Sequence, residues 1–448
     1  MQCYLNSNCT IRLRAFQSMK IVDLEIRNFK SYKELKLKFG DVNLLIGPNA
    51  SGKSNLVSVF KFLNDICILG LEDAVSLQGG IDWIRNVNLS KEEPIEVKLH
   101  LTDDSLLDIP TTKDAKKSFN LGDIYYQFKI SINKRTNTYQ VIEESLHNSL
   151  NLFLFTKKSK EPSATAGAKI IIERKKGNRF VSKLDDPTNF LKDLERAYLI
   201  PKAPFQFEPP SPSLLKRSNQ DLVILREYTS TFSSYLLYLF LRDMQFFDID
   251  PKLARYSYSI TGKNELEPDG HNLALVLSKL LKNKQRKETL QSIIRDLLPF
   301  VKGYSVKQMA DKSLVTYLNE EYCAKKPIPA TFTSDGTIYL TALLVALLSR
   351  RKGDFLVVVE EPERNIHPFL ISKMVTILKD IAKTNGRQLV LTTHSPQFVK
   401  NMNVDEIILV TRDGCFSKAM HPSDSEEVMR FLKKDIGIDE LYSENLLR

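Results

Sequence analysis

A chain of 448 residues, 42% hydrophobic and 26% charged, is long enough for two or three domains and has the composition of an ordinary globular protein, which sets aside disordered and fibrous classes. No apolar run approaches the roughly 20 residues of a membrane span, and the five cysteines (Cys3, Cys9, Cys67, Cys323, Cys415) form no C-x-x-C pair, so the expectation is a reducing cytoplasm without disulfides, cysteine zinc sites or membrane contact. The net charge of +10 suits a polyanionic partner, which a nucleotide or a nucleic acid would both satisfy.

Met1 to Ser18 has two arginines but no continuous apolar core, so it reads as an N-terminal extension and not a secretory signal. Lys20 to Ile26 alternates polar and apolar residues, as does Glu34 to Phe39, and both predict half-buried strands. With Val42–Ile46 they predict a small mixed sheet. Further strands are expected at Pro94–Leu101, Ile124–Ile132, Thr138–Glu143 and Ile170–Glu173. Thr102–Phe119 reads as a polar surface insertion, and Lys157–Ala168 as a loop by composition. Pro201, Pro204, Pro209, Pro210 and Pro212 mark a connector. From Asp221 to about Val301 the spacing turns helical, which predicts an inserted lid. After Thr331 the pattern returns to α/β: the apolar helix Ile338–Leu348, a buried strand at Phe355–Val359, a helix at Phe369–Lys383, and strands at Gln388–Thr392 and Glu406–Val410. The expected organisation is an extension (1–18), a first half of the core (19–200), a helical lid (201–330) and a second half (331–448).

One stretch organises the rest. Gly47-Pro48-Asn49-Ala50-Ser51-Gly52-Lys53-Ser54 fits G-x-x-x-x-G-K-[ST] at every fixed position, between a strand-like run and a helix-like run. Gly47 and Gly52 let the backbone curl so that successive N–H groups point at phosphate oxygens, and the following helix adds its positive end. Lys53 is expected to reach the β- and γ-phosphates of ATP, and the Ser54 hydroxyl to ligate Mg²⁺.

Four further features follow. Glu360 and Glu361 stand at the end of a buried strand, where open α/β sheets bind ligands. Glu360 would hold Mg²⁺, and Glu361 would orient and deprotonate the attacking water. His394, after the strand Gln388–Thr392, could sense a γ-phosphate, although a lone histidine is more often a packed or surface residue. Ser334-Asp335-Gly336-Thr337 heads the apolar helix, as a simple N-cap or as a second phosphate cradle acting across a dimer. Gln78 is a weaker candidate for a Mg²⁺ contact and equally a plain loop residue.

These residues together resemble an ABC-type ATPase of the RecF, SMC and OLD group. The resemblance rests on Ile26–Tyr32, Gly47–Ser54 with Asn55-Leu56, Ser334–Thr337, Glu360–Glu363 with Ile366-His367-Pro368, and Thr393-His394-Ser395. Leu266, Asp269, Gly270, Asn272 and Leu273 and the segment Ile438–Tyr442 resemble compact predicted ATPases of that group. The resemblance implies a P-loop NTPase head of ABC type with a mixed β-sheet core and flanking helices. It implies a head-to-head dimer, or a higher even oligomer, that sandwiches two ATP molecules, with Asn28, Lys30 and Ser31 near the nucleotide. The usual Walker B aspartate is here Glu360, as in OLD-like members, and no Toprim nuclease is expected after His394. Compact relatives suggest anti-phage defence with a separately encoded nuclease or toxin. Two other readings stand beside it: a DNA-repair or chromosome-maintenance clamp, and an ATP-bound scaffold with negligible turnover. Lys279, Lys282, Lys284, Arg286 and Lys287, or Arg174, Lys175, Lys176 and Arg179, could line a nucleic-acid groove, although solvated surface is the commoner explanation of such runs.

Overall fold

The computed structural model describes residues 19–104, 107–109, 116–133, 135–136, 138–155, 163–175, 179–186, 222–226, 232–323, 325–349, 356–432 and 437–444. The extension 1–18 and the proline-rich connector lie outside them. Nineteen strands are labelled β1 to β19 in chain order among these residues. Contacts divide the chain into two units: Met1–Asp41, Pro48–Met244 and Val410–Met420 form one, and Val42–Gly47, Gln245–Leu409 and His421–Arg448 the other.

The first unit is built on a long antiparallel sheet. Its strands are β1 (Lys20–Phe29), β2 (Tyr32–Lys38), β4 (Ile95–Asp103), β7 (Gly122–Ile132), β8 (Tyr139–Phe155), β9 (Ser163–Lys175) and β10 (Arg179–Asp185), ordered β10-β9-β8-β7-β4-β1-β2. The strict in-out alternation of β7 shows one face turned to the core, as the period of two requires. In the core, Phe29 packs on Phe62 with ring centroids 5.8 Å apart, and Phe39 on Phe60 at 5.6 Å. Both partners lie on the helix Lys53–Ile68. The same helix packs on the helix Phe232–Arg242, and Asn64 Nδ2 donates to the Leu241 and Arg242 carbonyls at 2.7 and 2.8 Å. The unit buries a polar cluster as well: the Tyr126 hydroxyl and the Ile224 amide both donate to Glu144 Oε1, at 3.1 and 2.9 Å, with the Arg174 guanidinium 4.0 Å from its other oxygen.

Several expectations are corrected. Residues 163–168, expected as loop, belong to β9 and pair with β8 from Leu150 to Leu154. Gly167 serves a close backbone approach there: a Cβ on it would meet the Leu150 carbonyl oxygen, beside a register shift. The polar stretch 102–119 contains β5 (Leu107–Ile109) and β6 (Lys116–Asn120), which pair with each other. The expected mixed sheet of β1, β2 and β3 (Val42–Ile46) resolves into two sheets. The alternating β1 and β2 suit one buried face, whereas β3 is buried at all five positions and needs cover on both. Arg174 is only 5% exposed and is held in the Glu144 cluster, so it cannot line a nucleic-acid groove.

The second unit carries the parallel sheet, ordered β11 (Gln245–Phe247), β16 (Leu356–Glu360), β17 (Gln388–Thr392), β3 and then β18 (Ile407–Asp413), which continues to β19 (Phe416–Met420). The stretch 201–330 is therefore not purely helical. It contributes β11 to this sheet, as well as β12 (Tyr258–Ser259), the hairpin of β13 (Val301–Gln308) with β14 (Ser313–Glu320), and β15 (Ile328–Pro329). Three-residue strands such as β11 are too short for periodicity to reveal. The helix Asp335–Leu348 is buried at every position from Thr337 to Leu347, as its all-round apolar sequence requires. Its buried Thr341 is satisfied: the hydroxyl lies 2.8 Å from the Tyr304 hydroxyl and donates to the Thr337 carbonyl at 2.7 Å.

Candidate functional site

The phosphate loop has the backbone its sequence demands. Gly47, Ala50 and Gly52 take φ of 154°, 61° and 121°, and the helix Lys53–Ile68 starts directly after Gly52. Glycine is required at 52 for two reasons: its φ is one that side chains rarely adopt, and an added Cβ would collide with the Ser417 side chain. Lys53 is 7% exposed, and its Nζ donates to the Pro48 carbonyl at 3.1 Å across the loop. Ser54 is exposed at the first turn of the helix.

A polar brace that the sequence reading missed holds this loop. The Ser417 hydroxyl donates to the Ser51 carbonyl at 2.5 Å and lies 2.7 Å from the Ser31 hydroxyl, and the Ser417 amide donates to the Ser31 carbonyl at 2.8 Å. Asn55 Nδ2 donates to the Ser31 hydroxyl at 2.8 Å, the Tyr32 hydroxyl to the Gly52 carbonyl at 3.1 Å, and Arg412 to the Ala50 carbonyl at 3.0 Å. Ser31 and Asn55 thus meet at the loop. Asn28 is spent elsewhere: its amide donates to the Glu93 carbonyl at 2.6 Å and accepts from the Asn86 amide at 2.8 Å, with φ of 53°. Lys30 has φ of 46°, and its backbone N–H donates to the Ile84 carbonyl at 2.6 Å. Burial, aided by Lys61, pulls its ammonium below the usual lysine range. Gln78 ends the helix Leu71–Leu77. No bond of its side chain to the loop appears among the described residues.

The acidic edge lies in the second unit. Parallel pairing sets Glu360 opposite Thr392, and Thr392 opposite Leu45, so β16, β17 and β3 end at one sheet edge. From that edge emerge Glu361, His394 and Gly47. Tyr442, in the C-terminal helix Ile438–Ser443, donates its hydroxyl to the Gly47 carbonyl at 3.3 Å.

Glu361 occupies the left-handed region at φ 47°, sparsely populated for a residue with a Cβ. Its N–H donates to the Thr392 carbonyl at 3.0 Å, and its carbonyl accepts from the Tyr339 hydroxyl at 3.2 Å and the Arg364 amide at 2.9 Å. Arg364 Nε and Nη2 reach Oε2 of its side chain at 3.2 and 3.1 Å. His394 Nε2 lies 4.0 Å from Oε1.

Glu363, the last residue of the motif Glu360–Glu363, is structural. Its Oε1 accepts from the Thr393 hydroxyl at 2.5 Å and the His394 amide at 3.3 Å, so it fixes the turn that carries His394. Burial pushes its carboxyl above the usual carboxylate range, against the pull of the Thr393 hydroxyl.

At the other helix tip, Ser334 is the N-cap: its hydroxyl accepts from the Thr337 amide at 3.3 Å and lies 2.8 Å from the Thr337 hydroxyl. Asp335 pairs with Arg255. Gly336 lies so close to the Asn365 carbonyl oxygen that a Cβ would stand 2.4 Å from it. Ser334 itself is exposed, and Thr337 is buried. The plain capping reading is therefore realised, at a tip open to solvent.

A parallel sheet in which β3 feeds a glycine-lysine-serine loop into a helix, with acids ending β16 two strands away, defines an α/β P-loop NTPase head of ABC type. The chain belongs to the family described as AAA domain, putative AbiEii toxin, Type IV TA system, which it matches over residues 42–400. Among curated proteins it is 52% identical over 48 residues to Structural maintenance of chromosomes protein 1 of Arabidopsis thaliana, covering 10% of this chain and 4% of that protein. It is 44% identical over 46 residues to DNA replication and repair protein RecF of Lactococcus lactis, 10% of this chain and 13% of that one. These matches thus span a small part of each relative. Among solved structures, an SmcHead bound to the C-winged helix domain of ScpA aligns over 90% of this chain and 99% of its own at 14% identity and a TM-score of 0.43. The SMC head domain from Thermotoga maritima aligns over 90% and 98% at 12% identity and a TM-score of 0.39. Among the described residues no helix is long and apolar enough to cross a membrane.

Proposed function

We propose that this chain binds ATP with Mg²⁺ and hydrolyses it between two copies of itself, and that this cycle controls a separately encoded effector, a nuclease or toxin, in cytoplasmic anti-phage defence. The observation that carries the hydrolysis is the shared edge of β16, β17 and β3, from which Glu360, Glu361, His394 and the phosphate loop all leave.

The residues fit the nucleotide. The loop carries the positive-φ glycines and the helix N-terminus that a polyphosphate needs, and Lys53 supplies a cation beside them. The Ser54 hydroxyl and the Glu360 carboxylate are hard oxygen donors of the kind Mg²⁺ prefers; bound there, the ion would neutralise charge on the phosphates. Glu361 takes the proton of the attacking water through Oε1, the oxygen turned toward His394. His394 donates to the γ-phosphate.

The second copy supplies the tip at Ser334. Support comes from what surrounds it: Phe332, two residues before Ser334, is 81% exposed, and Phe369, beside the turn that Gly336 abuts, is 73% exposed. The family description, a putative toxin of a Type IV TA system, supports a role in a toxin system. The identity to RecF supports a second reading, a DNA-repair clamp. In that case log affinity for duplex DNA falls linearly with log salt, and neutralising Lys282, Lys284 and Lys287 flattens the slope.

The test is Glu361→Gln with Mg²⁺ and ATP. Hydrolysis falls by roughly 10²-fold or more, since general-base contributions are of that order, while sedimentation detects a stable ATP-dependent dimer. Wild-type turnover in this variant removes the assignment, and negligible turnover in the unmodified protein favours a scaffold.

A further inference from the structure

We infer that Arg364 is the positioning residue for the general base: it grips one oxygen of Glu361 and leaves the other to meet water. The inference rests on the proposed role of Glu361 and extends it to a side chain outside the glutamates, His394 and Ser334.

Five contacts carry it. Arg364 Nε and Nη2 both converge on Glu361 Oε2, at 3.2 and 3.1 Å. The same guanidinium is fixed from its far end, where Nη1 donates to Asp248 at 2.8 Å. The turn between the two residues is closed by the Arg364 amide donating to the Glu361 carbonyl at 2.9 Å, so both side chains rise on one side. Oε1 receives nothing from Arg364 and faces His394 Nε2 at 4.0 Å, a spacing open enough for a reacting molecule to approach.

The physical need is plain. A general base works only when its acceptor oxygen is within about 3 Å of the proton it removes, and an error near 1 Å costs on the order of 10²-fold. A glutamate has three side-chain torsions, and Glu361 starts from a left-handed backbone that sets its Cβ in an unusual direction. Tyr339 and Thr392 fix only the main chain of Glu361. The Arg364 fork removes the remaining freedom, and it takes the oxygen that is not needed. Asp248, brought from the segment after β11, keeps the fork from swinging away.

The measurement is steady-state hydrolysis by Arg364→Ala and Arg364→Lys, with nucleotide affinity read separately from a fluorescent ATP analogue. For Arg364→Ala, kcat falls roughly tenfold, the worth of a charge-assisted hydrogen bond, while KM and nucleotide affinity stay within about twofold of the unmodified protein. Arg364→Lys, which offers one donor position in place of a fork, falls between the two. Millimolar guanidinium ion restores turnover to Arg364→Ala and leaves Glu361→Gln unchanged.

An unchanged or raised kcat in Arg364→Ala overturns the inference, and a raised value identifies the contact as a brake. A selective loss of nucleotide affinity overturns it too, since Arg364 then touches the nucleotide itself. A loss that neither guanidinium nor lysine relieves assigns a merely structural role. If Arg364→Ala does not fold, Arg364→Lys decides: kcat intermediate at unchanged KM supports the inference, and full kcat overturns it. Lys53→Ala and Glu361→Gln separate this from the site assignment. If both hydrolyse normally, the assignment of the base fails. If both fall silent while Arg364→Ala turns over at full rate, only the positioning role fails.

Discussion

The Tyr339 hydroxyl donates to the Glu361 carbonyl oxygen at 3.2 Å, so the helix that begins at Ser334 is tied directly to the backbone of the proposed base. Burial pushes this hydroxyl well above the usual phenol range, so it stays a neutral donor at working pH. Whatever engages the exposed tip of the helix therefore has a short path to Glu361. Tyr339→Phe keeps the ring and deletes the bond. Stability falls by about 1 kcal/mol, the net worth of a neutral hydrogen bond, and kcat falls several-fold with nucleotide affinity unchanged. Parallel melting curves and hydrolysis assays check both.

Lys53→Ala removes the only side-chain cation inside the loop sequence Gly47–Ser54. Nucleotide affinity collapses and turnover falls by on the order of 10²-fold or more, as when one preorganised donor is lost. Folding is spared, since Nζ bonds within the loop itself, to Pro48. Calorimetric titration with ATP beside a thermal melt checks the pair of outcomes. Unchanged hydrolysis removes the phosphate-loop assignment.

Ser334→Arg places a long cation at the exposed tip and deletes the N-cap. The cap loss costs about 1 kcal/mol. ATP binding survives, because no bond from Ser334 reaches the phosphate loop among the described residues, while the ATP-dependent dimer does not form. Sedimentation with Mg²⁺ and ATP, in the Glu361→Gln background, reads this out.

Asp65, on the phosphate-loop helix, supplies a pH signature independent of catalysis. Burial raises its carboxyl from 3.8 to about 6, against the pull of Lys61. The folded state thus holds the proton more tightly than the unfolded chain. Its stabilising contribution is complete below pH 3.8 and is lost as pH rises through about 6. Asp65→Asn removes this dependence. Relative to the unmodified protein, the variant gains about 1 kcal/mol at pH 7, a figure reduced for partial solvent exposure, and nothing near pH 4. Urea unfolding at the two pH values checks it.

How much could be read from the chain alone depends on sequence distance. The loop Gly47–Ser54, the strand ending in Glu360-Glu361 and the strand before His394 were legible, because each is a short run whose spacing encodes its geometry. Their braces were not. Ser417 bonds Ser31 across 386 residues, and Arg364 bonds Asp248 across 116. Neither pairing leaves a periodic trace. Asn28 shows the limit of resemblance, since its amide is committed to the Asn86–Glu93 turn. The β9 segment shows the limit of composition, where residues that read as loop pair with β8 and Gly167 admits its backbone closely.

The account turns on catalysis shared between two copies, and hydrolysis followed across protein concentration tests it most directly, with sedimentation at each point. The predicted result is a rate per chain that is negligible where only monomer sediments and rises to a plateau as the ATP-bound dimer forms. A rate per chain that stays high and constant where the protein is strictly monomeric would contradict it.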